Sequence, residues 1–315
     1  MKVTVYIPSR NYGRFLSDSI ESVLRQSLDS WELLLIDDAS SDETQQVMER
    51  YVGDSRVRIL RSGGAGLPAA ANLALKDAQG AYFMRLDADD ILDENALLVL
   101  CHHLDRHPDV ALVFPDYFLM DEHGEILSHE RRSRLHTESH VMDLPPNGAC
   151  TMIHTEILRS IGGYREDLGA KDGLDLWTRI ARVHKADNIN LPLFYYRRHG
   201  KNLTEDSIRL ISAQRIIKRD ASLPDIDTCR PITAVIPCRK NYDACPDLWM
   251  QEVGGKSLLA RALEMCTASR FLDHIVVTSD TPEVQEAMKA FPDSLLKFIE
   301  RPTGDTMRSK SIVPT

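Results

Sequence analysis

Apolar runs of strand length alternate with runs of helical periodicity along residues 3–90, and the strand-like runs stop at polar or acidic clusters. No other feature of the chain narrows its fold as much. Val3–Pro8 is a short β-rich run, and Phe15 to Leu24 sets Leu16, Ile20, Val23 and Leu24 on one helical face. Trp31–Ile36 is a near-continuous apolar run that ends at Asp37-Asp38-Ala39-Ser40-Ser41-Asp42. Ser40 and Glu43 have the spacing of a capping box, which predicts a helix through Val47 and Tyr51. Val57–Leu60 reads as a further strand, and Gly63-Gly64-Ala65-Gly66 leads into a helical run from Pro68 to Ala78. Ala81–Leu86 is the next strand, stopped by Asp87-Ala88-Asp89-Asp90. This order predicts an α/β fold, an open and mostly parallel sheet with helices on both faces.

Further along, 109–120 reads as a strand, Asp121–Gly124 as a turn and 128–147, rich in His, Arg, Ser and Pro, as a mobile loop. Asn188–Tyr196 reads as a short edge strand and Glu205–Lys218 as a helix. Asp220–Pro231 has linker character, and Ile232–Pro237 then repeats the texture of Val3–Pro8. A length of 315 residues suits two domains at about 150 residues each. The expected partition is 1–222, a linker at 223–231 and a smaller unit at 232–315.

A net charge of −9 and a pI of 5.7 argue against a nucleic-acid partner. The cysteines (Cys101, Cys150, Cys229, Cys238, Cys245 and Cys266) are scattered without a C-x-x-C pair, the pattern of reduced thiols in a cytoplasmic protein. The N-terminus lacks the apolar core and cleavage site of a signal peptide, and no run approaches the ~18 apolar residues of a membrane span. Peripheral contact with a membrane stays open.

In an open parallel sheet, ligands bind at the carboxyl ends of the strands. Three expected strands end in polar groups there: Pro8-Ser9-Arg10-Asn11, Asp37-Asp38 and Asp87-Ala88-Asp89-Asp90. Clustered carboxylates repel one another unless a cation neutralises them, and hard oxygen ligands suit Mg2+ or Mn2+ with a substrate's phosphates. The competing reading is turn and N-cap chemistry, which we favour for Asp42 and Asp93. For Asp87 and Asp89, metal or phosphate work is the better reading.

Residues 1 to about 215 resemble the family 2 glycosyltransferases, whose fold is GT-A. Val5–Asn11 (V-Y-I-P-S-R-N) is similar to their opening strand, Leu35–Thr44 to their nucleotide-base motif and Leu86–Asp90 (L-D-A-D-D) to their DxD motif. Gly162-Gly163-Tyr164, Asp172-Gly173-Leu174-Asp175-Leu176-Trp177 and Tyr196-Arg197-Arg198-His199 follow in the order of their acceptor-side motifs. The resemblance implies an inverting, metal-dependent transfer from a nucleotide-diphosphate sugar, UDP-linked by preference, to a glycan or lipid-linked acceptor in surface-polysaccharide synthesis.

It also implies roles. Asp38 would hydrogen-bond the nucleobase, with Pro8, Ser9 and Asn11 as further substrate-binding residues. Asp87 would lie near the ribose, and Asp89 and His199 would hold the metal. Asp172 would be the general base, with Asp175 as competitor or else as a helix N-terminal acid. Trp177 would be core or the wall of the acceptor pocket, and counts as a substrate-binding candidate. His199 has a plainer reading as a partly exposed histidine beside two arginines. Two departures stand out: Lys171-Asp172 where the family has Glu-Asp, and Ala71 where many members have arginine. Arg85 is a candidate to compensate for that arginine, or else an edge-facing residue of its strand.

Residues 232–315 resemble the start of the cytidylyltransferases that make CMP-activated acidic sugars, in Ile236-Pro237-Cys238-Arg239, Gly254–Leu259, Ile275–Asp280 and Arg301-Pro302. That likeness implies an incomplete α/β nucleotidyltransferase-like domain. Asn241–Leu248 lacks the Lys and Arg a triphosphate needs, so a degenerate or dimerising module, or a truncated one, is expected. Homo-oligomer contact through this segment is one expectation. A CMP-sugar synthetase and a non-catalytic nucleotide or sugar binder are the alternative functions.

Overall fold

The structure is a computed structural model that describes all residues except 133–147, 169–170, 201–206, 223–229, 243–244, 292–293 and 302–315. It divides into two compact units, Met1–Ala221 and Ser222–Thr315. The expected linker at 223–231 lies outside the described residues apart from Arg230 and Pro231. The expected loop at 128–147 lies outside them from 133 onward.

In the first unit the order is β1 (Val3–Ser9), α1 (Gly13–Leu24), β2 (Trp31–Asp37), α2 (Thr44–Glu49), β3 (Val57–Arg61), α3 (Leu67–Asp77) and β4 (Tyr82–Arg85). There follow β5 (Ile91–Leu92), α4 (Ala96–Arg106), β6 (Val110–Met120), β7 (Ile126–Glu130), β8 (Met152–His154), α5 (Thr155–Ser160), α6 (Asp172–Ala181), β9 (Lys185–Arg197) and α7 (Ser207–Ser222). The sheet runs β3-β2-β1-β4-β8-β6-β9-β5, with β7 beside β6. Its β3-β2-β1-β4 half is parallel, and β8 is antiparallel to both β4 and β6. The sheet is therefore mixed.

β1 and β2 are buried along almost their whole length because helices cover both faces, which is why they read as continuous apolar runs. Alternate residues divide between two cores. Val3, Val5, Ile7, Leu33 and Leu35 pack with Leu16, Ile20, Val47 and Leu100 from α1, α2 and α4. Tyr6, Leu34 and Ile36 pack with Ala70, Ala74, Leu176 and Ile180 from α3 and α6. The chain leaves β1 on one side for β2 and β3, then crosses to β4 on the other. That switch point opens a crevice at the carboxyl ends of β1, β2 and β4.

Two local expectations change. β9 is not an edge strand: it lies between β6 and the two-residue β5. Ser40 does not cap α2; its hydroxyl accepts from Asn11 N at 3.1 Å, while the Asp42 carboxylate accepts from Thr44 N and Gly13 N, each at 3.0 Å. Those bonds outweigh burial and hold Asp42 below the usual carboxylate range. Asp93, read as a turn residue, accepts from Asn95 N at 3.0 Å.

Entry into β4 requires a glycine. A Cβ on Gly80 would stand 2.4 Å from Thr4 N, a backbone atom with no room to yield. Gly80→Ala is therefore expected to destabilise the fold by about 3 kcal/mol, read as a lower denaturant midpoint at unchanged slope.

The second unit holds β10 (Thr233–Pro237), the short pairs β11 (Asn241–Tyr242) with β12 (Cys245–Pro246) and β13 (Glu252–Val253) with β14 (Lys256–Ser257), then α8 (Leu258–Thr267), β15 (His274–Ser279), α9 (Pro282–Met288) and β16 (Leu296–Glu300). β10, β15 and β16 form a parallel sheet around Leu259, Leu263, Ile275, Val277 and Val284. Among the described residues no helix is long and apolar enough to cross a membrane.

Candidate active site

The ends of β1 and β2 are tied to each other before any ligand arrives. Ser9, 2% exposed, accepts through its backbone oxygen from Asp38 N at 2.9 Å. Pro8 stands beside Ile36 in the β1–β2 register. Asn11 has φ +62°, a backbone state that asparagine tolerates, and its side-chain oxygen accepts from Ser41 N at 2.7 Å. The Asp38 carboxylate accepts from the Ser62 hydroxyl at 2.6 Å and from Gly66 N at 3.1 Å. This expected nucleobase acid thus already anchors the β3–α3 connection.

At the end of β4 three acids crowd together. Asp87 is pushed up to about 6, chiefly by burial and further by Asp89 and Asp172, against the opposing charge of Arg85 2.9 Å away. Burial, then Asp89 and Asp87, likewise raise Asp90 well above the carboxylate range. Its Oδ2 is buried with no hydrogen bond among the described residues. Asp89 Oδ2 lies 2.9 Å from His199 Nε2. The His199 side chain is 8% exposed and rests on Phe15 and Tyr12, at ring distances of 5.0 and 5.7 Å.

The turn that presents these acids is held by two residues the sequence does not single out. Arg197 donates from its backbone N to Asp90 Oδ1, from Nε to the Asp89 backbone oxygen and from Nη2 to Asp18 Oδ2, each at 2.9 Å. Ser19 donates its hydroxyl to the Asp90 backbone oxygen at 2.6 Å. Arg197 and Arg198 stand side by side in one motif, and spacing alone does not tell them apart. Ser19 faces the site only because α1 packs beneath it.

On the acceptor side, Asp172 and Asp175 both occupy the first turn of α6. They differ in their partners. Asp172 Oδ2 accepts from Arg85 Nη1 at 2.6 Å. Asp175 accepts from Arg179 Nε at 2.8 Å, and Arg165 Nη1 stands 3.6 Å from its other oxygen. Arg179 also donates to the backbone oxygens of Ile161 and Gly163, so Asp175 fixes the Gly162-Gly163-Tyr164 segment. Asp175→Ala is expected to lower stability by about 2 kcal/mol, since both arginines keep some access to water, and thermal unfolding reads the loss.

Trp177, counted as a substrate-binding candidate, is 1% exposed and packs on Phe114 at a ring distance of 4.5 Å. Its surroundings are those of a core residue, the other of its two readings. Ala71 is also fully buried, on the α3 face against the sheet. The neighbouring Asn72 donates to the Tyr164 backbone oxygen and accepts from its N, at 2.9 and 2.8 Å. Arg85 is no edge residue: β4 lies between β1 and β8, and Arg85 is 7% exposed.

Among the described residues, no group of three or more His, Cys, Asp or Glu side chains is gathered as a metal-ligand set. The Asp89–His199 pair still fits two adjacent ligands of an octahedral cation. Bonds of about 2.1 Å at right angles separate such ligands by about 3.0 Å, against the 2.9 Å observed. A site of that kind completes its shell with water and phosphate oxygens.

The profile of glycosyl transferase family 2 matches residues 4–160. Chondroitin synthase of Escherichia coli is 23% identical over 246 residues, which is 76% of this chain and 35% of that protein. The chain thus aligns with only about a third of that relative's length. Crystalline TarS 1–349 of S. aureus with UDP-GlcNAc superposes with a TM-score of 0.59 at 18% identity, covering 70% of this chain and 66% of that one. The mannosyltransferase PcManGT of Pyrobaculum calidifontis, in complex with GDP-Man and Mn2+, gives a TM-score of 0.52 at 18% identity over 70% of this chain and 69% of that one. These matches lend no support to the cytidylyltransferase resemblance of 232–315. Residues 4–160, set in the GT-A fold, thus form a glycosyl transferase family 2 domain.

Proposed function

We propose that the chain transfers a sugar, with inversion, from a nucleotide-diphosphate donor to a glycan or lipid-linked acceptor in polysaccharide synthesis, and that the donor is UDP-linked. The observation that carries this reading is the Asp89–His199 pair, 2.9 Å apart at the switch point and beside the polar ends of β1 and β2. The chondroitin synthase relative and the UDP-GlcNAc bound by TarS favour the same class of reaction.

In this reading Asp38 takes the nucleobase, Pro8, Ser9 and Asn11 line its pocket, and Asp87 meets the ribose. Asp89 and His199 hold a divalent cation, Mn2+ or Mg2+, which offsets charge on the leaving diphosphate. Asp172 removes the acceptor hydroxyl's proton as that oxygen bonds to the anomeric carbon. The sugar–phosphate bond breaks on the opposite face, and its electron pair leaves with the diphosphate. The setting is cytoplasmic, in keeping with the buried free thiols of Cys101, Cys150 and Cys238.

Calorimetry with UDP, GDP, CDP and CTP, each with and without Mn2+, tests the reading. UDP binding that requires Mn2+ is the expected result. Tight CTP binding, or no binding of any nucleotide, overturns it.

A further inference from the structure

Arg85 closes β4 and reaches two acids that lie far apart in the chain. Its Nη1 donates to Asp172 Oδ2 at 2.6 Å, and its Nε lies 2.9 Å from Asp87 Oδ1, close enough for an ion pair though not aligned as a hydrogen bond. The Arg85 side chain is 8% exposed and that of Asp172 10% exposed. Backbone packs along the arginine from the other side. Cys150 N donates to the Arg85 backbone oxygen at 2.8 Å, and a Cβ on Gly148 would stand 2.7 Å from Nη2. The guanidinium therefore has almost no freedom to turn, and residue 148 must lack a side chain for it to sit where it does.

The geometry points to Arg85 as a positioning residue, which grips one oxygen of Asp172 and sets the other toward the acceptor hydroxyl. This assignment rests on the proposed role of Asp172 as general base. Asp172 Oδ1 accepts no hydrogen bond from the described residues, so the grip leaves one oxygen for the reaction. A buried ion pair is a poor way to gain stability alone, because desolvation cancels much of its attraction. Charge at this position is explained by what the charge orients. A group held by a planar fork on a central strand is fixed more tightly than one at the end of a helix, and displacement of a reacting group by about 1 Å costs about 100-fold in rate.

The test is the Arg85→Met variant in the full chain, with UDP released from UDP-GlcNAc in the presence of Mn2+ as the rate and calorimetry with UDP as the binding readout. The expected result is a fall in kcat of about 100-fold with UDP affinity changed less than about threefold. Arg85→Lys should recover part of the loss, since an ammonium reaches one carboxylate but not both. Adding Arg85→Met to Asp172→Asn should cost nothing further, because the two act through one group. A merely structural arginine predicts additive losses.

A crystal structure of Arg85→Met should show the Asp172 carboxylate displaced, a readout that does not depend on the donor. An unmoved Asp172 with kcat within about threefold of the parent overturns the assignment. If Arg85→Met does not fold, Gly148→Ala shifts the guanidinium through Nη2 with both charges kept. The same loss of kcat is expected there, and a displaced guanidinium with full kcat overturns the assignment. The two failures are distinct: an active Asp172→Asn removes the base itself, whereas an inactive Asp172→Asn beside an active Arg85→Met removes only the arginine's role.

Discussion

Asp89→Ala is expected to abolish Mn2+-dependent UDP binding while leaving the metal-free protein about as stable as the parent. The two halves of this result have one cause. Asp89 stands among Asp87 and Asp90, and its charge helps to push both of them up. With no cation present, relief of that repulsion offsets the loss of the 2.9 Å contact with His199. The turn does not depend on the side chain, because Arg197 holds it through the Asp89 backbone oxygen and the Asp90 carboxylate. Turnover should fall by about 10³-fold or more, the scale of losing a group that stabilises charge in the transition state. Thermal unfolding checks the stability half: Mn2+ with UDP should raise the parent's midpoint and leave the variant's unchanged. Undiminished Mn2+-dependent binding by the variant would sink the metal assignment. A large drop in the variant's metal-free midpoint would make Asp89 a structural residue instead.

Asp172→Asn should lower kcat by about 10³-fold with little change in UDP affinity. General base catalysis contributes about 10² to 10⁴. The amide keeps a carbonyl oxygen for Arg85 Nη1, so the local geometry survives while the proton acceptor is lost. Asp175→Asn provides the contrast, because Asp175 is committed to Arg179 and faces Arg165. It should lose stability and keep most of its kcat. The reverse pattern, a stable but inactive Asp175→Asn beside an active Asp172→Asn, would move the base three residues along α6.

Much of the fold was open to reading because strands buried on both faces leave a plain trace. Trp31–Asp37 is apolar apart from Glu32 up to its final acid, and it forms β2. β9 misleads for a physical reason. Asp187, Asn188, Asn190 and Pro192 look like the residues of a solvent-facing edge, yet β9 pairs along β6 from Val110 to Met120, with register shifts around Asp116 and Pro192. Asn188 donates its side-chain amide to the Phe114 backbone oxygen at 3.0 Å, so polar residues are satisfied inside the sheet. A hydropathy pattern does not distinguish such a residue from one bonded to water.

The same division runs through the site. Strand ends, acid spacing and helix periodicity are local properties, and from them the sequence by itself determined the α/β order and the acids at the strand ends. Which acid serves chemistry and which serves structure depends on partners distant in the chain. Asp172 and Asp175 share one helical turn, yet one meets Arg85 from a central strand and the other meets Arg179 and Arg165. Asp89 and His199, 110 residues apart, come within 2.9 Å only because the end of β9 pairs with β5, just past the Asp87–Asp90 turn. Only the tertiary structure decided those pairings, since a charge is assigned its work by the group that packing brings against it.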